Sequence, residues 1–192
     1  KLIPNGAKWL RTRVTSLQPE HNQVTLEDGQ SLSYQFLVVA PGLELNLGAI
    51  AGLENSLGKH GVTSNYLFEL APYTWECVQQ LKRGRALFTQ PPMPIKCAGA
   101  PQKAMYLSCH HWEETGTLGN IDVQFHNAGA VLFGVADFVP PLMEYVKRYN
   151  ANLNFNSTLI AVDGPAREAT FRRTNGDGTS TDHTEPFDML HV

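Results

Sequence analysis

Cys97 is the residue of this chain whose type and position could do chemistry of its own. It sits in QPPMPIKCAGAPQK, four residues before Pro101. Proline suits the first turn of a helix, where its missing N–H would be unpaired in any case, and 102–115 is rich in helix formers. The spacing therefore predicts a cysteine just ahead of a helix N-terminus. Unpaired N–H groups and the helix dipole at that place, with Lys96 and Lys103 close in sequence, favour thiolate over thiol. A thiolate so placed can act as a nucleophile or exchange with another sulfur. Isolated cysteines are also among the most buried residue types and behave as small hydrophobes, so position alone leaves both readings open.

The other candidates offer less. Cys77, Cys97 and Cys109 are odd in number and irregularly spaced, which does not read as a disulfide framework. Cys109 would lie about nine residues into a straight helix, more than about 10 Å along it at a rise of ~1.5 Å per residue. A disulfide needs Cα atoms within ~7 Å, so a Cys97–Cys109 bridge is rejected. Cys77 has no charged or histidine partner visible in sequence and is read as structural. His110 and His111 are neighbours on the same helix; their side chains diverge by about 100° and suit solvated or capping roles. His126 falls at a strand end and could line a pocket. No Cys/His spacing matches a zinc site, and no metal site is expected.

The elements that must position Cys97 form an alternating α/β pattern. Residues 85–89 are a short apolar run bounded by Gly84 and by prolines, as a buried strand ending in a rigid loop would be. Ahead of it, 68–82 reads as a helix, with Pro72 in the first turn and Trp75, Val78 and Leu81 at helical spacing. After it come a strand at 120–125, a helix at 138–149 with Leu142, Tyr145, Val146 and Tyr149 on one face, and strands at 152–162, 169–173 and 188–192. Strand, helix, strand, helix, strand is a doubly wound α/β domain. Residues 7–36 alternate in the β manner, with Trp9, Val14 and Leu17 on one strand, Val24 and Leu26 on the next, and Glu27-Asp28-Gly29-Gln30 as a hairpin turn. The apolar run 36–40, ending at Pro41-Gly42, suits a central parallel strand covered on both faces. Residues 43–66 read as loop with a short helical turn near 47–50.

Such folds usually hold a dinucleotide, and here the expected nicotinamide fingerprint is missing. The loop after 85–89 has prolines where G-x-G-x-x-G would stand, and the next strand ends in His126-Asn127 rather than an acidic residue. The domain reads as dinucleotide-binding architecture without the nicotinamide site, with a cysteine in its place.

KCAGAPQK followed by MYLS resembles the segment that carries the first redox cysteine of the sulfide:quinone oxidoreductases, in the branch that includes the mitochondrial enzyme. The resemblance continues through NQVTLEDG, GVTSNY, LFGV and the closing DMLHV. It implies a Rossmann-like second dinucleotide-binding domain at 83–192, preceded at 1–82 by part of an FAD-binding domain made of a β-meander, a parallel strand and a linking helix. It implies FAD as cofactor, approached by Ala40, Pro41 and Gly42, where Pro41 departs from the commoner Ala-Thr-Gly and has no N–H to donate. It implies that Cys97 is one of two redox cysteines, the other beyond Val192, that sulfide attacks the bridge between them, and that Cys97, freed as a thiolate, reacts with the flavin. Lys103 would hold anionic sulfur nearby. Partners implied are sulfide, a thiol or sulfite-type sulfur acceptor, a membrane quinone, and a membrane surface reached through regions outside this chain. The expected place is peripheral on a bacterial or mitochondrial inner membrane.

Composition adds bounds. Net charge is −3 with pI near 6.2, so no electrostatic case exists for nucleic acid. No apolar run approaches the ~20 residues needed to span a bilayer. KLIPNGAKWL has neither Met nor a signal-peptide core, so the chain is expected to begin in mid-protein and, alone, to be soluble, inactive and weak in FAD binding. Three rivals stay open: an NAD(P)H-dependent FAD oxidoreductase, a cysteine hydrolase with a base on Cys97, and a redox-inactive interaction domain of the same fold.

Overall fold

A computed structural model describes residues 3–192. The chain divides into two compact units, Lys1–Leu43 and Glu44–Val192. The segment 44–82, expected with the N-terminal part, thus packs with the C-terminal unit.

In the first unit, β1 (Val14–Gln18), β2 (Gln23–Leu26) and β3 (Ser31–Ser33) form the expected antiparallel meander. Val24 and Leu26 are its buried residues. The β2–β3 turn is closed by the Gln30 N–H donating to Asp28 Oδ1 (3.0 Å), and Gly29 takes the left-handed φ of +83° that the turn needs. Trp9 lies outside the strands and is exposed. The run from Phe36 is a correction. No strand forms there, and Phe36 (93% exposed) and Val38 (87%) face solvent. A buried parallel strand needs neighbours to pair its backbone and layers to cover both faces; among the described residues this run has no ladder partner.

The second unit is built on a five-stranded parallel sheet in the order β4 (Val62–Thr63), β11 (Met189–His191), β5 (Gly84–Gln90), β6 (Ile121–Asn127), β7 (Asn152–Phe155). Helices α2 (Ala71–Gln80), α3 (Ala100–Glu114) and α4 (Val139–Arg148) carry a proline in the first turn, where it removes no intrahelical bond. They bury Val78, Met105, Cys109, Trp112 and Val146 against Phe88, Val123 and Phe125 on one sheet face. Trp112 also donates its indole N–H to the Val78 carbonyl (2.8 Å), locking α3 to α2. The opposite face is covered by the short helix α1 (Leu53–Ser56) and by an antiparallel meander of β8 (Ser157–Asp163), β9 (Glu168–Thr174) and β10 (Ser180–Pro186), through Leu53, Leu159 and Phe171 on Leu87 and Leu190.

Two departures from the sequence expectation follow from local chemistry. Residues 152–162 are two strands, because Asn156 takes a left-handed φ of +52° that asparagine tolerates and turns the chain from sheet to meander. β10 was not foreseen: STDHTEP has no apolar alternation, and the strand exists because it pairs with β9 along its length.

Candidate functional site around Cys97

The strand order reverses at β5: β6 and β7 extend to one side of it, β11 and β4 to the other. In open α/β sheets the crevice beyond the carboxyl end of such a strand is where ligands bind. Residues 91–99 leave β5 at that end and lead into α3, so the fold delivers Cys97 to this crevice.

Cys97 is exposed, Cys77 is half-buried and Cys109 is buried; all three are free thiols. Burial, and next to it the Glu113 carboxylate, pushes the Cys109 thiol up to about 12, which makes it inert. Cys77 is likewise raised, chiefly by burial. Of the three, Cys97 alone is exposed.

The backbone at Cys97 is pinned twice. Its carbonyl accepts from the Tyr66 hydroxyl (3.0 Å) and from the Ala100 N–H (3.1 Å) at the start of α3. Tyr66 was not singled out from sequence, although GVTSNY contains it. Burial, and after it the Cys97 charge, raises the Tyr66 phenol above its ordinary range, so at neutral pH it remains a donor. The helix does not begin on Cys97 itself: Gly99 is the N-cap residue. Pro101 has no N–H and that of Ala100 is already engaged, which leaves Gln102 to offer a first-turn donor before the Lys103 N–H closes on Gly99 (3.0 Å). The sulfur of Cys97, Cε of Lys103 and the Phe133 ring all lie 4.0 Å from the point where a side chain on Gly99 would begin. Cys97 and Lys103 are thus gathered around one small space, with an aromatic wall from the loop after β6.

That loop is held by two buried amides that composition and periodicity did not mark. Gln102, 2% exposed, donates to the Leu132 carbonyl (2.5 Å) and accepts from the Tyr106 hydroxyl (3.3 Å). Asn127, at the end of β6, donates to the Val131 carbonyl (2.9 Å) and accepts from the Gly129 N–H (2.8 Å). At the position where a nicotinamide-binding fold offers a carboxylate to ribose, this side chain is committed to its own loop.

Ala40, Pro41 and Gly42 lie in the first unit, exposed and outside regular structure. Gly42 has φ +78° and open space where a Cβ would stand. His110 is exposed, 3.4 Å from Glu114, in the solvated role expected. His126 is buried, and burial pushes its imidazole down to about 3. No metal site was expected from the sequence; β10 brings His183 and Glu185 up to His126, with one ligand atom from each of the three within 4.8 Å of the others.

Comparison with known proteins bears on what this arrangement is for. No family model matches the chain. The mitochondrial sulfide:quinone oxidoreductase of Mus musculus is 36% identical over 191 residues, covering 100% of this chain and 42% of the relative. In sequence, the chain matches the sulfide:quinone oxidoreductases. That of Dictyostelium discoideum is 38% identical over 191 residues, covering 99% of the chain and 41% of the relative. Among solved structures, the sulfide:quinone oxidoreductase of Aquifex aeolicus superposes with a TM-score of 0.70 at 19% identity, over 95% of this chain and 42% of that one, and so supports the Rossmann-like fold. The chain spans about two fifths of the length of these curated relatives. Among the described residues no helix is long and apolar enough to cross a membrane.

Proposed function

We propose that this chain is the part of a sulfide-oxidising flavoprotein that carries one of two redox cysteines, Cys97. The observation that carries the reading is the exposed thiol in KCAGAPQK at the carboxyl end of the strand where the sheet order reverses. The match to sulfide:quinone oxidoreductases along the whole chain supports it.

In this reading Cys97 is bridged, in the oxidised protein, to a second cysteine that the resemblance puts beyond Val192. Hydrosulfide attacks the partner sulfur and the S–S bond breaks. The partner keeps the added sulfur as a persulfide, and the bonding pair leaves on Cys97 as a thiolate. Tyr66 and the first turn of α3 fix the backbone from which that thiolate projects. Lys103 adds a positive charge beside the anionic sulfur. The sulfane sulfur then passes to a thiol or sulfite-type acceptor.

FAD, where bound, supplies a two-electron acceptor between this site and a membrane quinone. The residues present fit it as backbone: Ala40 and Gly42 can be approached closely, Gly42 because its positive φ and open surroundings leave no side chain in the way, while Pro41 contributes no donor. The mitochondrial relatives support a place on the inner mitochondrial membrane, docked peripherally through parts of the protein outside this chain. The commitment of Asn127 within its loop favours this over a nicotinamide-dependent oxidoreductase. Alone, the chain is expected to show no quinone reduction and no tight FAD binding. The test is Cys97→Ser in the complete flavoprotein: sulfide-dependent bleaching of the flavin is expected to vanish, and bleaching at the wild-type rate would refute the role.

A further inference from the structure

On the sheet face turned away from α3, alternate residues of β6 meet the antiparallel meander. His126 lies there with 1% of its surface exposed and its ring stacked on Phe171 at 3.7 Å between centroids. Its Nδ1 is 2.9 Å from Ser157 Oγ, to which it can donate. Its Nε2 is buried and has no hydrogen-bond partner. That nitrogen faces Glu185, whose Oε1 is 3.7 Å away, and the same oxygen is 2.8 Å from His183 Nε2. His183 and Glu185 are two apart on β10, so a strand presents both on one face. Arg85 Nη1 lies 3.6 Å from the other carboxylate oxygen, Glu185 Oε2.

We propose that His126, His183 and Glu185 form a binding site for a zinc-class divalent transition-metal ion, joining β6 of the parallel sheet to β10 of the meander. Two imidazoles and one carboxylate are a donor set such ions accept, with the fourth position left for water. The part-exposed His183 marks the side from which the ion enters. A buried imidazole nitrogen left without a partner is unfavourable, and coordination removes that deficit. Ser157 holds His126 in the tautomer whose Nε2 lone pair is free for the metal, and Arg85 orients Glu185, as outer partners do in metal sites. Arg85 and Arg173 also face His126 as cations and oppose a dication, which sets this site below closed four-ligand zinc centres in affinity.

The experiment is a competition titration of the purified protein with Zn2+ against a chromophoric chelator, repeated with Co2+ for its visible spectrum. One equivalent is expected. Its affinity should fall about a hundredfold in His183→Ala and in Glu185→Gln, and about tenfold in Ser157→Ala. Bound Co2+ should show d–d bands without the intense charge-transfer band of a thiolate ligand. Circular dichroism confirms that each variant is folded; both ligand residues on β10 are partly exposed, and Glu185→Gln keeps the size of the side chain. Absence of binding by folded wild-type protein, equal binding by wild type and both β10 variants, or a thiolate band pointing to Cys97 would each overturn the assignment.

Discussion

Replacing Gln102 tests whether the wall beside Cys97 is held as the geometry indicates. The Gln102 amide is the donor to the buried Leu132 carbonyl and the acceptor for Tyr106, and so ties the loop bearing Phe133 to the first turn of α3. Gln102→Leu removes both bonds. An unpaired buried carbonyl is unfavourable by about 1–3 kcal/mol, whereas the half-buried Tyr106 hydroxyl can turn to water and adds little. The net expected loss is about 2 kcal/mol, or a fall in Tm of about 4–8 °C at roughly 2–4 °C per kcal/mol for a unit of this size. Gln102→Glu keeps the shape and acceptor but loses the donor and buries a charge, so it should lose at least as much at neutral pH. The assay is urea unfolding, with amide hydrogen exchange read at 131–134, where protection should drop before the rest of the unit opens. Both variants within about 0.5 kcal/mol of wild type, with exchange in the loop unchanged, would refute the reasoning.

Other outcomes follow from the same packing. Brief treatment of the native chain with iodoacetamide should label Cys97 first and leave Cys109 unlabelled until denaturant is added, as peptide mass mapping would show; early labelling of Cys109 would contradict its place in the core. Burial pushes the His191 imidazole down to about 4, below an unfolded value of about 6.5, so its contribution to stability is full above that value and is lost as pH falls toward 4. Thermal unfolding followed from pH 7.5 to 4 should show that slope, and His191→Gln should flatten it. Gly61→Ala should destabilise by more than about 2 kcal/mol, because φ is +82° and the Asp188 carbonyl oxygen occupies the place of the new methyl group; an unfolding midpoint equal to wild type would sink that expectation.

What could be read from the sequence was set by local patterns. The strand–loop–helix around Cys97 announced itself through Gly84, the run of prolines and Pro101, and the structure has β5 and α3 within two residues of the expected limits. Elements that exist only through pairing with another strand were not legible: β4 is two residues inserted beside β11, and β10, with no apolar alternation, is held by its hairpin partner β9. The run from Phe36 to Val39 failed for the converse reason, since its apolar composition signals burial that needs partners the described residues do not supply. Around Cys97, the cysteine and Lys103 were visible in sequence, but Tyr66, Gln102 and Asn127 act through specific side-chain hydrogen bonds that leave no periodic trace. The meeting of His126 with His183 and Glu185 is of the same kind, as the two histidines stand 57 positions apart in sequence.

The role proposed for Cys97 is tested most directly by asking, in the complete protein, whether it is bridged to a second cysteine. Alkylation before and after one equivalent of sulfide, followed by non-reducing peptide mass analysis, reads the state of that sulfur. The expected result is a Cys97 peptide disulfide-linked to a second cysteine in the oxidised protein and released in proportion to added sulfide. Equal alkylation of Cys97 before and after sulfide, with no linked peptide, would contradict the account.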